Sequence, residues 1–245
     1  MIALMLAAGV GRRLYGGNDD QPPKCLLRFA GETLLQRHIT HLRERGISGL
    51  VMVVGYRADD IRSHVADIGA EDFVRFVENP RFTEGSVISM AAASDVLTSG
   101  EAVFFMDADV LYDAAIMDRM LSLGGYTVFP YDSEFEPGDE PVKLCLSKAK
   151  PVEFRKIPDD VPHDAVGEWI GFIRLAPDFA AALAERASAD SEGPTDAPYE
   201  DSVRHLLLNG WAEKTVTVDI NGLAWIEIDF PEDVVKAEQR VLPRV

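Results

Sequence analysis

Ile2-Ala3-Leu4-Met5-Leu6-Ala7-Ala8-Gly9-Val10-Gly11-Arg12-Arg13-Leu14 opens the chain as an apolar run emptying into a glycine loop, and Pro23-Lys24-Cys25-Leu26-Leu27 follows shortly after. The run Ile2 to Leu6 reads as a buried strand. Gly9 and Gly11 lack a Cβ, so the backbone there can turn its N–H groups toward an anion. Arg12, Arg13 and Lys24 add fixed positive charge: a guanidinium grips a phosphate with two hydrogen bonds, and a lysine acts as a point charge. An isolated Gly-x-Gly reads equally well as an ordinary turn with solvated arginines. The full string is much rarer.

Leu-Ala-Ala-Gly-x-Gly-x-Arg-Leu followed by Pro-Lys resembles the signature of nucleotidyltransferases that activate phosphate esters with a nucleoside triphosphate. The resemblance implies nucleotide contacts from Leu6, Ala7, Ala8, Gly9, Gly11, Arg12 and Ser86, with Arg13 and Lys24 as the catalytic cations. Neither the dinucleotide fingerprint Gly-x-Gly-x-x-Gly nor the Gly-Lys-Ser/Thr of phosphate-loop ATPases is present.

Net charge is −17 over 245 residues, which disfavours nucleic acid and anionic membrane surfaces as partners. An apolar content of 47% supports a sizeable core, expected here as a single nucleotidyltransferase domain over residues 1–245. A protein this acidic must gather positive charge locally to bind a triphosphate, and a divalent cation would help. Cys25 and Cys145 are too few for a disulfide scaffold or a thiolate metal site. No run approaches the ~20 apolar residues of a membrane span. The N-terminal run is short and lacks a basic leader, so a cytoplasmic protein is expected. A homodimer is compatible with the sequence, which does not set the oligomeric state.

Apolar residues at helical spacing over Leu34 to Glu44 predict a helix stopped at Gly46. Strands are expected at Gly49–Gly55, Val74–Val77 and Ala102–Met106, and helices at Ala58–Val65, Ser86–Val96 and Asp113–Leu123. This alternation predicts an α/β, doubly wound, mostly parallel mixed sheet, with ligands at the carboxyl ends of its strands. The resemblance makes it the Rossmann-like nucleotide-diphospho-sugar transferase fold. Beyond Asp109 the short strands crowd together (Tyr126–Phe129, Val142–Leu146, Val152–Arg155, Ile170–Leu175), predicting a sheet extension. The acidic Ser133–Glu140 stretch reads as a mobile loop. Helices are expected at Asp178–Ala189, Tyr199–Leu208 and Pro231–Val241, and strands at Thr215–Val218 and Ala224–Ile228.

Asp107 and Asp109 at a strand end offer carboxylates to a hard cation such as Mg²⁺, which takes oxygen ligands from protein and phosphates. In the resembling family a metal-binding aspartate lies at this place, and either residue fits it. Strand alternation sends Glu227 and Asp229 to one face, opposite Ile226 and Ile228. Trp-x-Glu-x-Asp resembles the late acidic strand that completes the metal site in cytidylyltransferases. Asp229-x-x-Glu232 with Pro231 also reads as a capping box. Ser86 reads as an N-cap, in a segment where the family recognises base and ribose.

The resemblance places Glu168, Trp169, Tyr199, Glu200 and Asp201 at the acceptor pocket, where an aromatic face and acids suit an amine. The acids of the Tyr199 helix equally suit a helix N-terminus. Lys143 is expected to reach a phosphate or to be a solvated strand residue. His38 and His41 look structural, and no Ser/His/Asp or Cys/His pattern supports covalent catalysis. The implied activity is transfer of a nucleotidyl group, CMP from CTP, to a small phosphate or phosphonate such as phosphocholine or aminoethylphosphonate. A sugar-1-phosphate nucleotidylyltransferase, a glycosyltransferase of similar fold and a non-catalytic nucleotide-binding regulator are the alternatives.

Overall fold

The computed structural model describes residues 1–17 and 20–245. Strand β1 (Ile2–Ala7) leads into the short helix α1 (Arg12–Tyr15), and the hairpin β2 (Arg28–Phe29) and β3 (Glu32–Thr33) precedes α2 (Leu34–Glu44). Then come β4 (Leu50–Val54), α3 (Ala58–Asp67), β5 (Val74–Glu78), α4 (Val87–Ala92), α5 (Ser94–Leu97), β6 (Val103–Asp107), β7 (Val110–Tyr112) and α6 (Ala115–Ser122). The second half runs β8 (Thr127–Asp132), β9 (Lys143–Ser147), β10 (Lys150–Arg155), β11 (Ala165–Trp169), β12 (Phe172–Leu175), α7 (Pro177–Asp190), α8 (Tyr199–Leu208), β13 (Thr215–Asp219), β14 (Trp225–Glu227) and α9 (Pro231–Lys236).

Ten strands form one sheet in the order β10-β9-β11-β8-β12-β6-β1-β4-β5, with β13 parallel to β8. Strands β6, β1, β4 and β5 are mutually parallel, whereas β12, β11, β9 and β10 join antiparallel. The chain winds outward from β1 through β4 to β5, then returns to place β6 on the other side of β1. That reversal is the switch point at which an open α/β sheet leaves a crevice. It sets Leu6 opposite Asp107. The glycine loop and the Asp107–Asp109 turn therefore share one rim, as expected.

Alternation explains the two main cores. Ala3, Met5, Leu50, Met52, Phe104 and Met106 face a layer built on α2, α3 and α6, while Leu4, Val51, Val53, Val103 and Phe105 face α4, α5, α7 and α8. A strand covered on both sides reads as a continuous apolar run, which is why β1, β4 and β6 were visible in the sequence. Four strands, β2, β3, β7 and β11, were not expected. The Ser86–Val96 helix is broken at Ala93 into α4 and α5. Among the described residues no helix is long and apolar enough to cross a membrane.

Candidate active site

A cleft of about 440 Å³ opens at this rim, lined by Leu6 to Arg13 on one wall and by Phe82, Ser86, Ser89, Asp107, Asp109, Tyr199, Glu200, Glu227 and Asp229 elsewhere. Gly11 has φ +70°, a conformation natural to glycine, and a Cβ there would lie 3.2 Å from the Lys24 side chain. The bare backbone thus lets Lys24 pass behind the loop. Its Nζ donates to Asp109 Oδ2 at 2.9 Å and to Asp229 Oδ1 at 2.6 Å. Burial alone would lower the Lys24 pKa, but Asp109 and Asp229 outweigh it and hold the ammonium well above its usual range. Arg13 reaches Asp229 Oδ2 at 2.9 Å and Glu140 Oε2 at 2.6 Å.

The carboxylates arrive from two separate segments, the turn after β6 and the end of β14. Strand β14 pairs antiparallel with β7, setting Glu227 opposite Val110, and the Ile228 N–H donates to the Asp109 carbonyl at 3.0 Å. Ile226 and Ile228 pack inward, so Glu227 and Asp229 turn to the cleft. One oxygen each from Asp109, Glu227 and Asp229 lie within 4.8 Å of one another. Burial first, then Asp109 and Asp229, pushes the Glu227 carboxyl well above the carboxylate range. Lys24 and Arg13, the latter shared with Glu140, do not neutralise three clustered carboxylates. Hard oxygen donors at this spacing, short of positive charge, fit a Mg²⁺-type cation.

Asp107 stands apart from this trio. As the last residue of β6 it shares the face of Phe105, which α8 covers, and its Oδ2 accepts from the Tyr199 hydroxyl at 2.6 Å. Gly171, at φ +82°, backs it: a Cβ there would come within 2.8 Å of that oxygen. Burial, Asp109 and Glu227 raise the Asp107 pKa. The two aspartates, equivalent on paper, are separated by the bend that follows β6: Asp107 stays bonded to Tyr199, while Asp109 turns to Lys24.

Two capping expectations are corrected. Asp229 does not cap α9, because Asp233 accepts the N–H groups of Asp229 at 3.1 Å and Phe230 at 2.8 Å, and the Asp229 carboxylate is left for Lys24 and Arg13. Ser86 makes no side-chain bond to its own helix. Its Oγ accepts the Tyr199 N–H at 3.0 Å, tying the start of α8 to that of α4.

The acceptor-side residues are only partly brought together. Tyr199 and Glu200 line the cleft, while Glu168, Trp169, Asp201 and Lys143 are not among its lining. Trp169 is 4% exposed, packs edge-on against Phe154 and Tyr199, and donates its indole N–H to the Phe172 carbonyl. Successive residues of a strand face opposite sides, so Glu168 and Trp169 on β11 cannot share one pocket. Glu168 pairs across strands with Asp132 and Lys143, and burial with Asp132 pushes its carboxyl up to about 7. Lys143 spends its ammonium on the carbonyls of Gly138, Pro141 and Lys156. Asp201 is exposed. Glu200 has a buried oxygen without a hydrogen-bond partner, and burial pushes its carboxyl up to about 7.

Several residues near the cleft went unread. Glu140, in the loop expected to be mobile, bridges Arg13 and Lys156, whose Nζ lies 2.8 Å from Glu140 Oε2. Phe82, Thr83 and Glu84 line the wall before α4, within the segment where the resemblance places base and ribose recognition. The structural reading of His38 fits its place: it is fully buried against Tyr112, and burial pushes its pKa down to about 3. Burial pushes the Cys25 thiol up to about 12, which removes it as a nucleophile.

Cations supplied by the loop after β1 meet carboxylates supplied by a ribbon more than a hundred residues away, at the switch point of a mixed sheet. That arrangement is one of the nucleotide-diphospho-sugar transferase fold. Residues 3–159 match the MobA-like NTP transferase domain family, and the chain belongs to that family. It is 31% identical over 98% of its length to the bifunctional IPC transferase and DIPP synthase of Rubrobacter xylanophilus, covering 52% of that protein. It is 26% identical over 98% of its length to the CMP-5'-(3-aminopropyl)phosphonate synthase of Streptomyces rubellomurinus, covering 39% of it. The chain thus spans about half or less of these two relatives. The fold superposes on the inositol-1-phosphate CTP transferase of T. maritima with a TM-score of 0.76 at 20% identity, covering 99% of this chain and 94% of that one.

Proposed function

We propose that the protein transfers the CMP group of CTP to a small phosphate or phosphonate ester, with Mg²⁺ and with release of pyrophosphate. The observation that carries this reading is Lys24, fixed between Asp109 and Asp229 in the cleft that the glycine loop also lines. An acceptor oxygen attacks the α-phosphorus of CTP. A new P–O bond forms there, and the bond to the bridging oxygen breaks, its electron pair leaving with pyrophosphate. Backbone N–H groups of the glycine loop and the side chains of Arg12, Arg13 and Lys24 hold the triphosphate in line and offset charge as it develops on the leaving group. Asp109, Glu227 and Asp229 would hold Mg²⁺, which when bound neutralises phosphate charge. No protein nucleophile is required.

The preference for CTP rests on the relatives, one of which is by its name a CMP-phosphonate synthase. The preference for an acceptor bearing an amine rests on Glu200, since Trp169 offers no free ring face. Consumption of a triphosphate suits a cytoplasmic setting. A pyrophosphate-release screen of four triphosphates against phosphocholine, phosphoethanolamine, an aminoalkylphosphonate and sugar 1-phosphates tests the proposal. Release with CTP and an amine-bearing acceptor supports it. A preference for a sugar 1-phosphate discards the acceptor reading, and no release with any pair discards nucleotidyl transfer.

A further inference from the structure

Tyr56, just after β4, stands outside the lining of the cleft yet holds both ends of the excursion from Ala8 to Gln21. Its N–H donates to the Ala8 carbonyl at 3.1 Å, immediately before the glycine loop. Its hydroxyl donates to the Gln21 carbonyl at 2.8 Å, shortly before Lys24. The residue is buried, and its ring packs beside Phe82. Arg57 adds a second hold: its guanidinium donates to the Asp20 carbonyl at 2.7 Å and pairs with Asp60 at 2.5 Å. Arg57 stands at φ 45°, ψ 43°, a left-handed conformation that is unfavourable for a residue with a Cβ and natural to glycine. The carbonyls so fixed lie immediately before Pro22 and Pro23. A proline ring locks φ, and the residue before a proline is confined to extended backbone, so an orientation set at Gln21 is carried to Lys24 with little slack. Pro23 is extended, at φ −51°, ψ 140°, and the turn that Lys24 opens is closed by the Leu26 N–H on the Pro23 carbonyl at 2.9 Å.

We infer that Tyr56, with Arg57 beside it, is a positioning residue for Lys24: by clasping the Gln21 and Asp20 carbonyls the pair aims the ammonium into the cleft between Asp109 and Asp229. The clasp decides where the charge sits, not whether the chain folds. Its consequence for turnover rests on the reading of the cleft as a nucleotidyl-transfer site. Its consequence for the placement of Lys24 does not.

Two substitutions separate this from a merely structural role. Tyr56→Phe removes the hydroxyl and keeps the ring and the N–H on Ala8. Arg57→Gly removes the second hold and relieves the left-handed backbone, so its Tm should be unchanged or raised. Acetylation of Lys24 by acetic anhydride, followed by mass spectrometry relative to the other lysines and without nucleotide, reports how firmly the ammonium is held. Labelling should be about threefold faster or more in each variant, and kcat with the best substrate pair should fall about three- to tenfold, the worth of one hydrogen bond. In the Lys24→Ala background Tyr56→Phe should cost nothing further, because no ammonium is left to position. Labelling of Lys24 at the wild-type rate in Tyr56→Phe, or an equal loss of kcat with and without Lys24, overturns the inference. A lowered Tm in Arg57→Gly makes the clasp a folding element and overturns it as well. If the wild-type protein releases no pyrophosphate with any pair, nucleotidyl transfer falls, and the labelling rates still decide the placement of Lys24.

Discussion

The two halves of the sheet contribute to the cleft in different ways. In the parallel half, β1 and β6 end at the rim, so whatever follows them is delivered there: the glycine loop after Ala7, and Asp109 after Asp107. In the antiparallel half, β8, β9 and β11 run past one another, and a side chain's destination depends on strand parity. Glu168 and Trp169 are neighbours in sequence and face opposite sides. Strand-end residues of a parallel sheet carry their position with them. Residues inside an antiparallel strand do not, because a one-residue shift in register reverses every side chain.

Four experiments sharpen that contrast, beginning with the largest effect. Lys24→Ala should cut kcat by about a hundredfold or more, since it removes a charge aimed at the developing anion. It also leaves Asp109, Glu227 and Asp229 facing one another without their ammonium. Its Tm should fall in EDTA and recover with Mg²⁺. Near-wild-type turnover would remove the β1 loop from the chemistry.

Next come the carboxylates. Asp109→Asn, Glu227→Gln and Asp229→Asn should each lower activity by more than about tenfold and weaken Mn²⁺ binding in calorimetry, as loss of a hard ligand requires. Asp107→Asn should be milder in both assays, because its oxygen is bonded to the Tyr199 hydroxyl. Equal losses at Asp107 and Asp109 would erase the distinction that the bend after Asp107 makes.

Trp169→Ala tests the antiparallel half. Loss of a buried indole should destabilise the fold by about 3–5 kcal/mol. Acceptor preference in the surviving enzyme should not change. A selective rise in acceptor KM at unchanged Tm would return the ring to the pocket.

The smallest effect concerns Glu200, whose carboxyl burial raises to about 7 from an ordinary 4.5. A carboxyl with a raised folded-state pKa binds its proton more tightly when folded, so its contribution to stability declines as pH rises between those values. Glu200→Gln should therefore gain stability relative to wild type across about pH 4.5 to 7 and hold a constant difference above it. A pH-independent difference in Tm would mean that Glu200 is well solvated.

What the sequence made legible follows the same division. The order of elements through β6, the shared rim, and the pairing of Glu227 with Asp229 rest on periodicity and strand ends, which are local properties. The separation of Asp107 from Asp109 depends on which layer covers one face of β6, and that layer comes from α8, nearly a hundred residues later. The position of Trp169 depended on recognising β11 as a strand. With the strand expected at Ile170–Leu175, Glu168 and Trp169 fall outside it, where parity says nothing about them. Glu140 and Lys156 were hidden because an ion pair between distant loops leaves no pattern in either.

The account turns on direct attack by the acceptor on the α-phosphorus, with cations and carboxylates only holding and neutralising. An acceptor labelled with ¹⁸O on its phosphate, turned over with CTP and followed by ³¹P NMR, tests this most directly. The account predicts label in the new bridging oxygen of the product, none in pyrophosphate, and no exchange of labelled pyrophosphate into CTP when acceptor is absent. Label in pyrophosphate, or exchange without acceptor, would contradict it.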